Sequence, residues 1–274
     1  VTSIVVPAHN EERVLGRTLS ALLADAAPGE FDVVVVANGC TDGTAEVARG
    51  FAGVRVVETD VSSKSNALRL GDEAASGFPR VYLDADVVLP AAQVRALCGA
   101  LTGGVLAAGP RRRLPMDGVR WPVRWYYDVW ERLPHVGDEL YGRGVIALSQ
   151  EGHARLGPWG DVMADDLAVA TAFGPDERAI VAGAVVEIRP PRTYADLLRR
   201  RVRAMTGNAR LVAGVRPAGA RAQPRTGWRD LPGLVADDPR LAPKVLLFLG
   251  TAVLSRLRAR RADGTWLRDE SSRD

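Results

Sequence analysis

Several chemistries are excluded by what the chain does not carry. Among 274 residues there are two cysteines, Cys40 and Cys98, too far apart for a C-x-x-C pair. No disulfide framework and no cysteine-built zinc site follow, and a reducing compartment is the simplest setting. Lysine is equally scarce: Lys64 and Lys244 are the two copies, and arginine carries the remaining positive charge. The loop after the first apolar segment, PAHNEE at 7–12, has no Gly-x-Gly-x-x-Gly turn, and Glu11 and Glu12 would repel a pyrophosphate. No Gly-x-x-x-x-Gly-Lys-Ser/Thr loop occurs either. A dinucleotide-dependent oxidoreductase or a P-loop ATPase is therefore not expected. No basic-then-apolar leader opens the sequence. The apolar stretch near its end, VLLFLGTAVL at 245–254, is too short to cross a bilayer. A cytoplasmic protein is expected, with the inner membrane face as its one possible surface.

What is present is ordinary globular composition, 47% hydrophobic and 25% charged. The charge is unevenly spread. Residues 1–188 carry 17 Lys and Arg against 25 Asp and Glu, whereas residues 189–274 carry 19 against 8. An acidic body with a basic C-terminal third suggests an anionic partner there, or an arginine-rich solvated surface.

The first 110 residues alternate between strand and helix patterns. TSIVVP (2–7), FDVVVVA (31–37), VRVVE (54–58) and the run leading to Asp84 read as strands. Between them, helices are expected over the stripe Leu15, Leu19, Leu22 and Leu23, from Thr44, and over 65–76. Continuous apolar strands mark a sheet covered on both faces, and βαβα alternation implies parallel strands with right-handed crossovers. Farther on, helices are expected at 121–133, 165–173, 194–212 and 243–261, and a strand at 142–149. An irregular connection is expected over 214–243, and PRRRLP (110–115) reads as a solvated loop or a phosphate contact. The aromatics Trp121, Trp125, Tyr126 and Trp130 at helical spacing read as core.

Parallel sheets bind ligands beyond the carboxyl ends of their strands. PAHNEE, NGCTDG (38–43) and DAD (84–86) each follow a strand, so all three converge on one rim. On an extended chain Asp84 and Asp86 would point to the same side. Like charges that close call for something positive. Paired carboxylates suit a hard divalent ion that bridges protein to substrate phosphates.

These residues resemble a known family. IVVPAHNEE, VVVVANGCTDGT, KSNALRLG, YLDADV, GRGVIAL and ADDLAVA, in that order, are similar to the family 2 glycosyltransferases. The resemblance covers roughly residues 2–210. It implies an α/β GT-A fold, a Rossmann-like and mostly parallel sheet flanked by helices, here with a basic helical C-terminal extension. The catalytic domain would span 1–212, with a nucleotide-sugar half to 110 and an acceptor half from 111. Residues 213–274 would be linker, helix and polar tail.

The resemblance further implies an inverting transfer from a nucleotide-sugar, UDP-linked in most members, with Mn²⁺ or Mg²⁺. Pro7, Ala8, His9 and Glu11 then line the nucleoside, Asn38 accepts from the uracil N3–H, and Lys64 reaches the nucleotide. His9 stands where many members have Tyr, and Asn38 where many have Asp. Asp86 is the main metal ligand, Asp84 contacts ribose or metal, and Ala85 between them lines the donor. Asp42 reads as a loop organiser. On the acceptor side stand Gly144, Asp165 and Arg203, and Asp166 is the general base. Arg200 and Ala204 replace the Gln and Trp of processive members, so a single transfer is expected.

The expected partners are the donor and a glycan, lipid-linked or small-molecule hydroxyl acceptor, with no nucleic acid. Val245, Leu246, Leu249 and Val253 would pack internally or between two copies, or the helix would touch a membrane; its short apolar run favours packing. Two other readings stay open. One is a nucleotide-sugar-binding partner subunit without turnover. The other is a sugar-nucleotidyltransferase, against which PAHNEE offers no glycine-rich triphosphate loop.

Overall fold

The computed structural model describes residues 1–133, 136–137, 139–140, 142–157, 159, 169, 172–213 and 230–261. They fall into two compact units. Of the described residues, the first takes those within Val1–Arg113 and Leu140–Glu187, and the second those within Leu114–Glu139, 188–213 and 230–261.

The first unit is a seven-stranded sheet. Its strands are β1 (Thr2–Ala8), β2 (Phe31–Asn38), β3 (Val54–Thr59), β4 (Arg80–Leu83), β5 (Ala107–Arg113), β6 (Val145–Leu148) and β7 (Arg178–Glu187), in the order β3-β2-β1-β4-β6-β5-β7. The expected parallel half is present: β1 pairs in parallel with β2 and β4, and β2 with β3. β6 runs antiparallel to both β4 and β5, and β7 is parallel to β5.

Helices α1 (Glu12–Leu23), α2 (Thr44–Arg49), α3 (Lys64–Ala74), α4 (Ala91–Gly99) and α6 (Gln150–Leu156) belong to this unit. Leu15, Leu19 and Leu22 of α1 are fully buried, each contributing about 1.5–3 kcal/mol. Leu23 falls outside that stripe. α3 lies close on the sheet because residue 71 is glycine: a Cβ there would stand 2.3 Å from Val5 Cγ1.

The loop expected at 110–115 is corrected. Arg111, Arg112 and Arg113 extend β5 and pair with Val185, Val186 and Glu187. Ladder hydrogen bonds are made by the backbone, so an arginine run can form a strand once a neighbour supplies partners. Arg111 and Arg113 stay exposed, and Arg113 pairs with Glu187 across the strands.

The second unit is helical, built from α5 (Trp121–Glu131), α7 (Tyr194–Ala213), α8 (Asp230–Asp237) and α9 (Ala242–Arg261). Of the connection expected to be irregular over 214–243, residues 214–229 lie outside the described residues, whereas 230–237 and 239–241 are helical. Its core gathers Val123, Tyr126, Tyr127, Leu197, Val245 and Phe248, with Tyr126 stacked on Phe248 at 4.9 Å. The aromatic stripe is core only in part, because Trp121 is 60% exposed. The packing expected of α9 is likewise divided. Val245 is buried and Leu249 packs against the core, while Leu246 and Val253 are 70% and 45% exposed. Residues 245, 248, 251 and 255 follow the helical period and take the buried face. Among the described residues no helix is long and apolar enough to cross a membrane.

Candidate active site at the strand ends

β4 stops at Leu83 and the chain turns at once. Val87 N–H donates to Asp84 O at 3.1 Å, closing a turn over Ala85 and Asp86. The two acids therefore do not share an extended segment, which corrects the strand geometry expected for 84–86. Asp84 is half-buried, whereas Asp86 is exposed on the turn. Ala85 is buried, and its carbonyl accepts from Thr18 Oγ1 at 2.8 Å, tying the turn to α1.

Sequence reading set a divalent ion beside the acids and Lys64 towards the nucleotide; in the structure Lys64 itself faces Asp84. Its Nζ donates to Asp84 Oδ1 at 2.7 Å. Lys64 opens α3, behind Ser63, whose hydroxyl accepts from Asn66 N–H at 3.3 Å and caps the helix. Both side chains of the pair are about one-third exposed. Such a pair is worth roughly 0–1 kcal/mol.

Gly144 holds the other side. Asp84 N–H donates to its carbonyl at 2.8 Å. Its φ is +66°, and a Cβ would fall 2.6 Å from Val87 and 3.1 Å from Asp84 Oδ2. Glycine is needed here for both reasons. Pro7, Lys64, Tyr82, Asp84, Gly144 and Trp159 line a slot at this point.

The loops after β1 and β2 are knitted together by polar side chains. Asn38 is buried, and its Nδ2 donates to Ala8 O at 2.7 Å. Because a carbonyl accepts only, the amide orientation is set and Oδ1 faces away from Ala8. An aspartate at 38 would instead oppose two acceptors. His9 Nδ1 lies 2.6 Å from Asn38 O, so that nitrogen carries the proton. Asp42 takes Thr44 Oγ1 at 2.5 Å, Thr44 N–H at 3.1 Å and Glu12 N–H at 3.3 Å. Partial burial opposes ionisation, but those hydrogen bonds outweigh it and hold the Asp42 carboxyl below the usual carboxylate range. Glu11 N–H donates to Thr44 Oγ1 at 2.8 Å.

Pro7, Ala8, His9, Glu11, Asn38, Asp84, Ala85 and Asp86 stand in the first unit at strand ends or the loops that follow them, with Lys64 at the start of α3 and Gly144 just ahead of β6. Arg203 stands half-exposed on α7 of the second unit. Asp165 and Asp166 lie outside the described residues.

Sequence reading missed two features. Arg143 is 2% exposed, and its Nη1 donates to Pro110 O at 2.8 Å; its place between two glycines ahead of an apolar strand was the available signal. Asp72 gathers a ring of donors that nothing near it in sequence announces.

Residues 3–148, more than half the chain, match the family model described as glycosyl transferase family 2. The chain belongs to that family. Glycosyltransferase AglE of Haloferax volcanii is 33% identical over 90 residues, 31% of this chain and 30% of that one. The undecaprenyl-phosphate 4-deoxy-4-formamido-L-arabinose transferase of Shewanella sediminis is 27% identical over 172 residues, 56% of this chain and 51% of that one. The chain therefore spans about half or less of these curated relatives. Among solved structures, a mannosyltransferase from Pyrobaculum calidifontis in complex with GDP-mannose and Mn²⁺ superposes with a TM-score of 0.62 at 22% identity, covering 97% of this chain and 76% of that one. Glucosyl-3-phosphoglycerate synthase of Mycobacterium tuberculosis, in complex with Mn²⁺, UDP-glucose and phosphoglyceric acid, gives 0.55 at 22%, covering 78% and 79%. The fold is the GT-A fold of family 2.

Proposed function

We propose that this protein transfers a sugar from a nucleotide-sugar to a hydroxyl acceptor in a single, inverting, divalent-metal-dependent step. The observation that carries the reading is the turn after β4, where half-buried Asp84 faces Lys64 and exposed Asp86 reaches solvent. It lies in a sheet belonging to a glycosyltransferase family.

The donor set fits a hard cation. Asp84 and Asp86 offer carboxylate oxygens, and among the described residues no third His, Cys, Asp or Glu completes an all-protein cage. Mg²⁺ and Mn²⁺ sites of this type use one or two carboxylates and leave the remaining positions to substrate phosphates and water. When bound, the ion neutralises charge on the departing diphosphate. The Mn²⁺ in both solved relatives supports it.

The chain's own residues do the rest. Lys64 exchanges Asp84 for a phosphate oxygen. Asn38, its nitrogen committed to Ala8, presents Oδ1 to the N3–H of a uracil. Pro7, Ala8, His9 and Glu11 line the nucleoside, and Gly144 stands on the acceptor side, its missing Cβ leaving room for Asp84 and Val87. Inversion needs the acceptor hydroxyl to attack C1 from the face opposite the leaving group, and a hydroxyl needs a base. We assign that role to Asp166, with Asp165 and Arg203 orienting the acceptor.

The test is a panel of UDP- and GDP-sugars with Mn²⁺, scoring release of nucleoside diphosphate against pyrophosphate. Nucleoside diphosphate release that stops with EDTA and in Asp86→Ala is expected. Pyrophosphate release would make the protein a nucleotidyltransferase. Binding without release, across the acceptor classes, would make it a partner subunit without turnover.

A further inference from the structure

Asp72 lies on α3 about two turns beyond Lys64, and the proposed chemistry does not use it. Its carboxylate accepts from Arg80 Nη1 at 2.6 Å, from Tyr82 OH at 2.8 and 3.1 Å, and from Trp159 Nε1 at 2.7 Å. His153 Nε2 sits 3.2 Å from Oδ2, off the axis of a well-formed hydrogen bond. Burial opposes ionisation of Asp72, but the contacts with His153, Tyr82 and Trp159 outweigh it and keep the carboxyl below its usual range. Neutralising the buried Arg80 accounts for one oxygen. The other, Oδ2, holds an indole. That indole stands edge-to-face on Tyr82, with ring centroids 4.9 Å apart at 83°, and both rings line the slot beside Lys64 and Asp84.

Among the described residues the slot therefore brings Lys64 and Asp84 beside apolar walls of Pro7, Leu68, Tyr82 and Trp159. That is the lining of a site for a ligand with a charged end and a ring with apolar C–H faces. We infer that Asp72 is a positioning residue, which through the Trp159 N–H sets the indole as the wall against which the donor's sugar ring packs. The inference rests on the donor-site reading above. Phosphates engage Lys64 and the β4 turn, and the sugar beyond them meets Trp159. Asp72 acts through the indole and touches no substrate.

The test compares affinities, with Mn²⁺ present, of wild type, Trp159→Leu, Asp72→Asn and the double variant for UDP, UDP-glucose, GDP and GDP-mannose. Trp159→Leu should weaken the nucleotide-sugar that binds by about two- to tenfold, the worth of one aromatic contact, and leave the matching diphosphate unchanged. Asp72→Asn should do the same, and add nothing in the Trp159→Leu background. If Asp72→Asn fails to fold, Trp159→Phe replaces it, since it keeps a ring and removes the hydrogen bond. Equal losses for sugar-nucleotide and diphosphate would overturn the inference, as would unchanged affinity in Trp159→Leu or an Asp72→Asn effect that persists in the double variant. In each of these cases the donor reading stands, because wild type still binds. No binding of any of the four ligands by wild type removes both.

Discussion

Asp72 and Asp84 are close in sequence and in the same unit, yet their surroundings differ in kind. Asp72 is enclosed by a buried guanidinium, a phenol and an indole. Asp84 faces an ammonium that is one-third exposed, and Asp86 next to it stands in solvent. Asp32 on β2 belongs with the enclosed class: it accepts from Ser3 Oγ at 2.8 Å, from Ser76 N–H and Oγ at 2.9 Å, and from Arg55. A carboxylate whose oxygens are already occupied by the protein holds structure. One on an exposed turn, as Asp86 is, presents its oxygens to solvent.

The comparison can be pressed in four ways. The largest effect concerns the acids assigned to chemistry. Asp166→Asn keeps shape, removes a proton acceptor, and should lower turnover by about 10²–10⁴-fold with donor affinity unchanged. Near-normal turnover in Asp166→Asn, with loss in Asp165→Asn, would move the base by one residue.

Next comes the contrast in stability. Asp72→Asn leaves buried Arg80 without its counter-charge and should cost about 3–5 kcal/mol. Asp86→Ala, at an exposed turn, should stay within about 0.5 kcal/mol. Denaturant titration of the two variants measures this directly, and equal losses would erase the distinction drawn here.

A smaller effect is expected at Gly144. Alanine there meets both a left-handed φ and the collision with Val87, for a cost of about 1–3 kcal/mol. Asp84 N–H should then exchange faster, because its hydrogen bond runs to that residue. Wild-type melting and exchange in Gly144→Ala would show that the turn adjusts freely.

The smallest effect is one of pH. Burial opposes ionisation of Asp32, yet the bonds from Ser76, Arg55 and Ser3 bring its pKa down to about 2. A carboxyl with a depressed folded-state pKa contributes stability above its ordinary value, near 4, and loses it as pH falls through the folded value. The Tm gap between wild type and Asp32→Asn should be full at pH 6 and shrink steadily between pH 4 and 2. A constant gap across that range would show that ionisation of Asp32 adds nothing.

The sequence by itself determined the succession of β1 to β4 with their helices, and the rim residues that follow those strands. Apolar runs and the 3.6-residue period are local signals, and the loops after the strands of a parallel sheet share an edge. Lys64, one of two lysines in the chain, was singled out in the same way. Tertiary structure alone decided the rest. Arg111–Arg113 became strand because β7 offered backbone partners. The expected extended DAD became a turn because Val87 N–H reaches back to Asp84 and Thr18 fastens Ala85. Asn38 points its nitrogen at Ala8 because the ends of β1 and β2 meet there. Asp72 found Arg80, Tyr82 and Trp159 only once α3, β4 and the segment after α6 had come together. Polar contacts between residues far apart in the chain leave no period in the sequence, so the arrangement that separates an enclosed acid from an exposed one appears only in the folded protein.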